Sequence, residues 1–152
     1  MAIINHEYKS KVVWSGGRDG DGTATAQGSG VEVPINVPVE FQGKGGGTNP
    51  EELLTSAIAS CYSITFGIIA ANRKLPIKSV ETTATGVVEQ NGAAFTYKSI
   101  VLKPVIYMEG EPSVEQLKQA EEIAHKADGY CIITNAVRGK VEITVEPTIA
   151  KG

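Results

Sequence analysis

The chain has 152 residues, 41% of them hydrophobic, with 14 basic and 17 acidic side chains and a formal net charge of -3. That length and apolar content are enough for one packed domain, expected to span residues 1–152. Nearly balanced charge without any Lys/Arg run excludes a phosphate-backbone partner, so no nucleic acid is expected. The opening residues mix His6, Glu7, Lys9 and Lys11 with apolar positions instead of building the apolar stretch of a signal peptide, and a cytoplasmic location is expected.

Residues 6–14 (HEYKSKVVW) carry β-branched and aromatic side chains and stop at Ser15-Gly16-Gly17, which predicts a strand running into the glycine loop SGGRDGDG. Residues 23–41 read as one or two further strands, with Pro34 and Pro38 fitting edge positions. After the run Gly43-Lys44-Gly45-Gly46-Gly47 comes a helix start. Asn49 stands as N-cap, Pro50 at the first helical position, Glu51 and Glu52 in the first turn, with capping-box spacing between Asn49 and Glu52.

From Leu53 to Ala71 this helix holds no charge, so it must be buried against protein or lipid. Its length touches the transmembrane range, but five hydroxyls (Thr55, Ser56, Ser60, Ser63, Thr65) and Gly67 argue for packing on a sheet or a second subunit, and no membrane association is expected. Residues 77–90 and 94–107, joined around Asn91-Gly92, predict two long antiparallel strands. Pro112-Ser113 opens a second helix with Val114, Leu117, Ala120, Ile123 and Ala124 at helical spacing, ended by Asp128-Gly129. Tyr130–Val137 reads as a compact apolar turn or short helix, and Val141–Val145 as the last strand. The fold class expected is therefore α+β, with antiparallel sheets, a long buried central helix and a second helix.

Two residues can carry thiol chemistry, Cys61 within the central helix and Cys131 in the apolar turn. They lack CxxC spacing, and with only His6 and His125 elsewhere no metal site and no cofactor are expected. In a reducing compartment both are free thiols by default, and a disulfide between them would be transient. On an apolar helix face Cys61 reads equally as a small core residue; as a nucleophile it must ionise, and the helix offers no cation to help. The candidate is Arg18 in the glycine loop, whose guanidinium can bond a thiolate and a peroxide oxygen together, with Glu51 as the carboxylate holding its other edge.

SGGRDGDG, GTNPEELL with Cys61 ten residues after Glu51, and GYCIITNAV around the second cysteine together resemble the family of osmotically inducible and organic hydroperoxide resistance proteins (OsmC/Ohr). The resemblance runs over essentially the whole chain. It implies an intertwined homodimer of α+β subunits with active sites at the dimer interface, and thiol-dependent reduction of organic hydroperoxides. It makes Cys61 the peroxidatic cysteine, Cys131 the resolving cysteine, Glu51 the supporting carboxylate, and Arg18 the loop arginine of the organic hydroperoxide branch. The osmotically inducible branch carries its arginine before the second glycine run, where Val37–Phe41 here contain none. Ile132 and Thr134 replace the proline and serine usual after the second cysteine. An external dithiol, of the lipoyl type in the family, is the implied reductant. The competing reading is a non-catalytic dimer that binds apolar ligands or senses redox state, with Cys61 lining its pocket.

Overall fold

The computed structural model describes residues Met1–Gly152, which form two compact units, Met1–Leu53 and Leu54–Gly152. The first holds strands β1 (Ser10–Ser15), β2 (Asp21–Ala26) and β3 (Glu32–Ile35), antiparallel in the order β1-β2-β3. Pro34 lies in β3, an edge strand, where its missing N–H costs no inner ladder bond. Residues 6–9 stay outside β1, which begins only at Ser10.

Asn36 organises the loops of this unit. Its amide donates to the Gly20 carbonyl (3.1 Å) and to Asp21 Oδ1 (2.9 Å), while Lys44 Nζ reaches Asp21 Oδ2 at 2.5 Å. The bonds from Lys44 and Asn36 hold the Asp21 carboxyl below its ordinary value. The first glycine loop is thereby tied to the second.

Helix α1 runs from Pro50 to Asn72, as its start signals predict. Asn49 Oδ1 accepts from the Glu52 N–H at 2.9 Å, and its Nδ2 donates to Glu52 Oε1 at 2.7 Å. A serine cap has no second group to offer; the Asn amide closes the box through two side chains. At the other end Leu75 N–H bonds to Ala70 O (3.0 Å) and Lys74 N–H to Ala71 O (2.9 Å), a Schellman pair, with Leu75 buried against Ala70. Lys74 takes the left-handed position (φ 56°) where glycine is usual.

In the second unit β4 (Ile77–Asn91) and β5 (Ala94–Met108) form the long hairpin. Asn91 pairs with Ala94, so the turn is Gly92-Ala93, one residue later than an Asn-Gly turn would put it. Gly92 has φ 62° at the first central position, the glycine that a type II′ turn requires. Inward residues of β5 alternate as Ile100, Leu102, Pro104, Ile106 and Met108, all buried. Helix α2 (Val114–Lys126) starts on a capping box, with Ser113 Oγ accepting from the Gln116 N–H (3.1 Å) and Gln116 Oε1 from the Ser113 N–H (2.8 Å).

The chain end departs from expectation. The sequence reading stops the strands at Val145, yet after β6 (Glu142–Val145) comes β7 (Thr148–Lys151), and both add in parallel to β5 instead of antiparallel. They pair with Ser99–Leu102 and Val105–Met108, so Pro104 falls in the gap between them.

Ile58, Tyr62, Phe66 and Ala70, four residues apart, form the buried face of α1 and pack in one cluster with the inward face of β5 and with Ala120, Ile123 and Ala124 of α2. Tyr62 Oη donates to Ala124 O at 2.5 Å, joining α1 to α2. Burial, with the nearby Asp128 charge, pushes that phenol far above its ordinary range, so it stays a neutral donor. Only one face of α1 is covered. Ile64 is 63% and Ile68 57% exposed, and the helix is long and apolar enough by length and composition to cross a membrane.

Because a left-handed lysine costs about 1 kcal/mol relative to glycine, Lys74→Gly is expected to raise the urea unfolding midpoint by about that free energy, with Lys74→Ala giving no such gain. Equal effects from both substitutions would show that strain at this φ is not the cause.

Candidate active site: two thiols beside an apolar cavity

The helix spacing that buries Ile58 and Tyr62 turns Cys61 to the flank of α1, partly exposed. Cys131 arrives from the far end of the unit. After α2 a 3-10 turn (Ala127–Tyr130) leads into helix α3 (Ile132–Val137), with Cys131 as its N-cap and wholly buried. The turn is braced from behind. Arg138 donates to Asp128 O (3.2 Å) and Asn135 Oδ1 (3.0 Å), Asn135 Nδ2 donates to Gly129 O (3.0 Å), and Cys131 N–H bonds to Asp128 O at 3.2 Å.

Cys61 and Cys131 are both free thiols, and Cys131 acts on Cys61 as a hydrogen-bond donor. Burial pushes the Cys61 thiol up, but four neutral donors outweigh it: the Cys131 thiol, the Ile133 and Ile132 backbone N–H groups, and the Thr65 hydroxyl one turn along α1. Its pKa falls below the ordinary thiol value. For Cys131 the balance goes the other way, since burial and donation to Cys61 both raise its pKa and the Thr134 backbone and side chain offset only part of this. The two shifts run in opposite directions, down at Cys61 and up at Cys131.

Every group that lowers the Cys61 pKa is uncharged. Thr65 is legible afterwards as a hydroxyl at i+4, whereas the Ile132 and Ile133 amides carry no mark in the sequence. Thr134 N–H donates to Cys131 Sγ at 3.3 Å.

Cys61 opens onto a cavity of about 690 Å³. The flank of α1 from Ala57 through Ile64 and Ile68 supplies its apolar floor, Ile132 and Ile133 another wall, and Arg73 with Tyr130 its polar margin. The volume suits a small-molecule ligand.

Arg18 and Glu51 belong to the first unit, and both are placed about Phe41. Arg18 Nη1 donates to Phe41 O at 2.7 Å. Glu51, in the first turn of α1, lines with Phe41 and Trp14 a second cavity of about 420 Å³. His6 lies in the N-terminal segment and His125 on α2, both exposed.

Residues 43–146 match the family described as OsmC-like protein. The chain belongs to that family. An uncharacterized Bacillus subtilis protein, YmaD, is 30% identical over 150 residues, covering 99% of both chains. Peroxiredoxin OsmC of Escherichia coli is 29% identical over 108 residues, 71% of each chain. A crystal structure of an organic hydroperoxide resistance protein OsmC from Legionella pneumophila superposes with a TM-score of 0.73 at 25% identity, covering 95% of this chain and 99% of that one. The OsmC-like fold expected from the sequence is thus the one observed, and the names of these relatives point to redox chemistry on peroxides.

Removing a donor to a thiolate disfavours the ionised form, so Thr65→Val is expected to move the Cys61 pKa upward. The pH profile of iodoacetamide alkylation, measured in a Cys131→Ser background and again with Thr65→Val added, checks this; midpoints that coincide would remove Thr65 from the site.

Proposed function

We propose that this OsmC-like protein is a thiol peroxidase that reduces organic hydroperoxides to alcohols through Cys61, with Cys131 resolving the oxidised sulfur. The supporting observation is the thiol pair beside an apolar cavity: a Cys61 thiol whose pKa is lowered, with Cys131 among the donors that lower it, and a Cys131 thiol whose pKa is raised. A core cysteine has no use for four donors, and a passive pocket has no use for a second thiol beside the first.

The Cys61 thiolate attacks the distal peroxide oxygen; the S–O bond forms as the O–O bond breaks, and the alkoxide takes a proton and leaves as the alcohol. Cys61 is then a sulfenic acid. Cys131 gives its proton to the departing hydroxyl and its sulfur to the disulfide, releasing water before further oxidation makes the loss irreversible. An external dithiol, of the lipoyl type, takes up the oxidation by exchange. The roles of Arg18 and Glu51 rest on their motifs. Arg18 would stabilise charge on the breaking O–O bond, with Glu51 orienting it. The protein is read as cytoplasmic and as a homodimer, the dimer being supported by apolar exposure along the free edge strand β1 (Val12, Val13 and Trp14) and on α1 at Ile64.

Reduced protein given one equivalent of cumene hydroperoxide is expected to lose both thiols within seconds, with an intact-mass decrease of two hydrogens. Cys61→Ser should abolish peroxide consumption. Cys131→Ser should still consume one equivalent and stop at a sulfenic acid that dimedone traps. Arg18→Ala is expected to slow peroxide consumption about 100-fold with the fold retained. Thiols that survive the peroxide would give the protein to the ligand-binding reading.

A further inference from the structure

Arg138 bonds two neutral oxygens more closely than it bonds the acid beside them. It is the C-cap of α3, and its side chain reaches back past that helix to the turn before it. Nη2 donates to Asp128 O at 3.2 Å and Nε to Asn135 Oδ1 at 3.0 Å, while the Asp128 carboxylate stands at 3.5 Å. Asn135 is anchored in turn, its Nδ2 donating to Gly129 O at 3.0 Å. Asp128 O also accepts from Cys131 N–H, so one carbonyl joins the guanidinium to the residue that carries the second sulfur.

A cation at a helix C-terminus offsets the dipole, and a half-exposed ion pair contributes little. Neither accounts for two neutral acceptors taken through Nε and Nη2, a fork of fixed spacing that lysine does not have. With only six residues, α3 is too short to hold itself as a helix. What its first turn carries is therefore held from outside: Cys131 as N-cap, and the Ile132 and Ile133 amides that act on Cys61. The charge of Arg138 is not the route, because no charged group is among the causes of the Cys61 shift.

We infer that Arg138 is a positioning residue of the thiol pair: its fork holds α3 to the preceding turn, so that Cys131 stays beside Cys61 and oxidised Cys61 closes to the disulfide instead of going on to sulfinic acid. The inference rests on the peroxidase reading and names what controls the fate of its first product. A Cys61 sulfenic acid has two exits. In one, Cys131 attacks the sulfur, the S–S bond forms as the S–O bond breaks, and the hydroxyl leaves as water with the thiol proton. In the other, a second hydroperoxide gives its distal oxygen to the sulfur, its O–O bond breaks, an alcohol leaves, and the sulfinic acid is lost to the cycle. The first exit is intramolecular, so its rate follows how well the second sulfur is placed, and small displacements change it steeply. The second needs only access to Cys61.

The test uses Arg138→Ala and Arg138→Lys, the latter keeping the charge and losing the fork; Arg138 is half-exposed, so the core is untouched. With excess cumene hydroperoxide, wild-type protein is expected to stop at the disulfide by intact mass. Both variants should divert about ten times as much Cys61 to sulfinic acid, read as two added oxygens. Asn135→Ala, which removes the Nε acceptor and the hold on Gly129 O, should do the same, and combining it with Arg138→Ala should add little further. Sulfinic acid at the wild-type level in both Arg138→Ala and Asn135→Ala overturns the inference, as does full rescue by lysine, which would make charge sufficient.

Should wild-type protein consume no peroxide, the peroxidase reading fails by itself, and alkylation decides the clamp. In a Cys131→Ser background, the pH midpoint for iodoacetamide at Cys61 is expected to rise in Arg138→Ala and Arg138→Lys alike, because the Ile132 and Ile133 amides are no longer fixed. A midpoint unmoved in both counts against the clamp.

Discussion

The meeting of Cys61 and Cys131 at the first turn of α3 is the contact on which the rest of this structure depends. One sulfur lies in the middle of a long helix and the other caps a very short one. Neither would be useful alone. An apolar helix flank raises a thiol's pKa, and a buried cap position is unreactive. Brought together, they exchange a hydrogen bond whose direction is set by the other donors: the Ile132 and Ile133 amides and Thr65 address Cys61, while Thr134 addresses Cys131.

Much of the second unit can be understood as the means of holding that contact. The buried face of α1 orients the helix so that Cys61 emerges on its flank, and the Tyr62 bond to Ala124 ties α1 to the helix that delivers the Cys131 turn. Arg138 and Asn135 close the turn from behind, so the α3 amides point at a defined place. Gly86 has a comparable part on the sheet. A Cβ there would strike the Tyr97 ring and hydroxyl, which bonds Thr55 of α1 at 2.5 Å.

What was legible in the sequence was local. The Asn49 and Ser113 caps, the first helical proline and the paired strands on either side of Gly92 are all specified by residues within a few positions of one another, and they appear where expected. Strand β7 was not legible, because four residues without strong alternation become a strand only through parallel pairing with a distant segment. The site divides in the same way. The motifs around Cys61 and Cys131 named the two sulfurs, whereas the Ile132 and Ile133 amides that act on Cys61 leave no signature in a sequence.

The Cys131 sulfur does two things at once. It is the thiol that faces Cys61, and it is the acceptor for the Thr134 N–H that starts α3. A disulfide sulfur is a weaker acceptor than a thiol sulfur, so the disulfide proposed between the cysteines would weaken the cap of a helix only six residues long. Oxidation by the proposed route would then be recorded in the backbone as well as in the side chains, with the Thr134 amide proton held in the reduced protein and released to solvent more readily in the oxidised one.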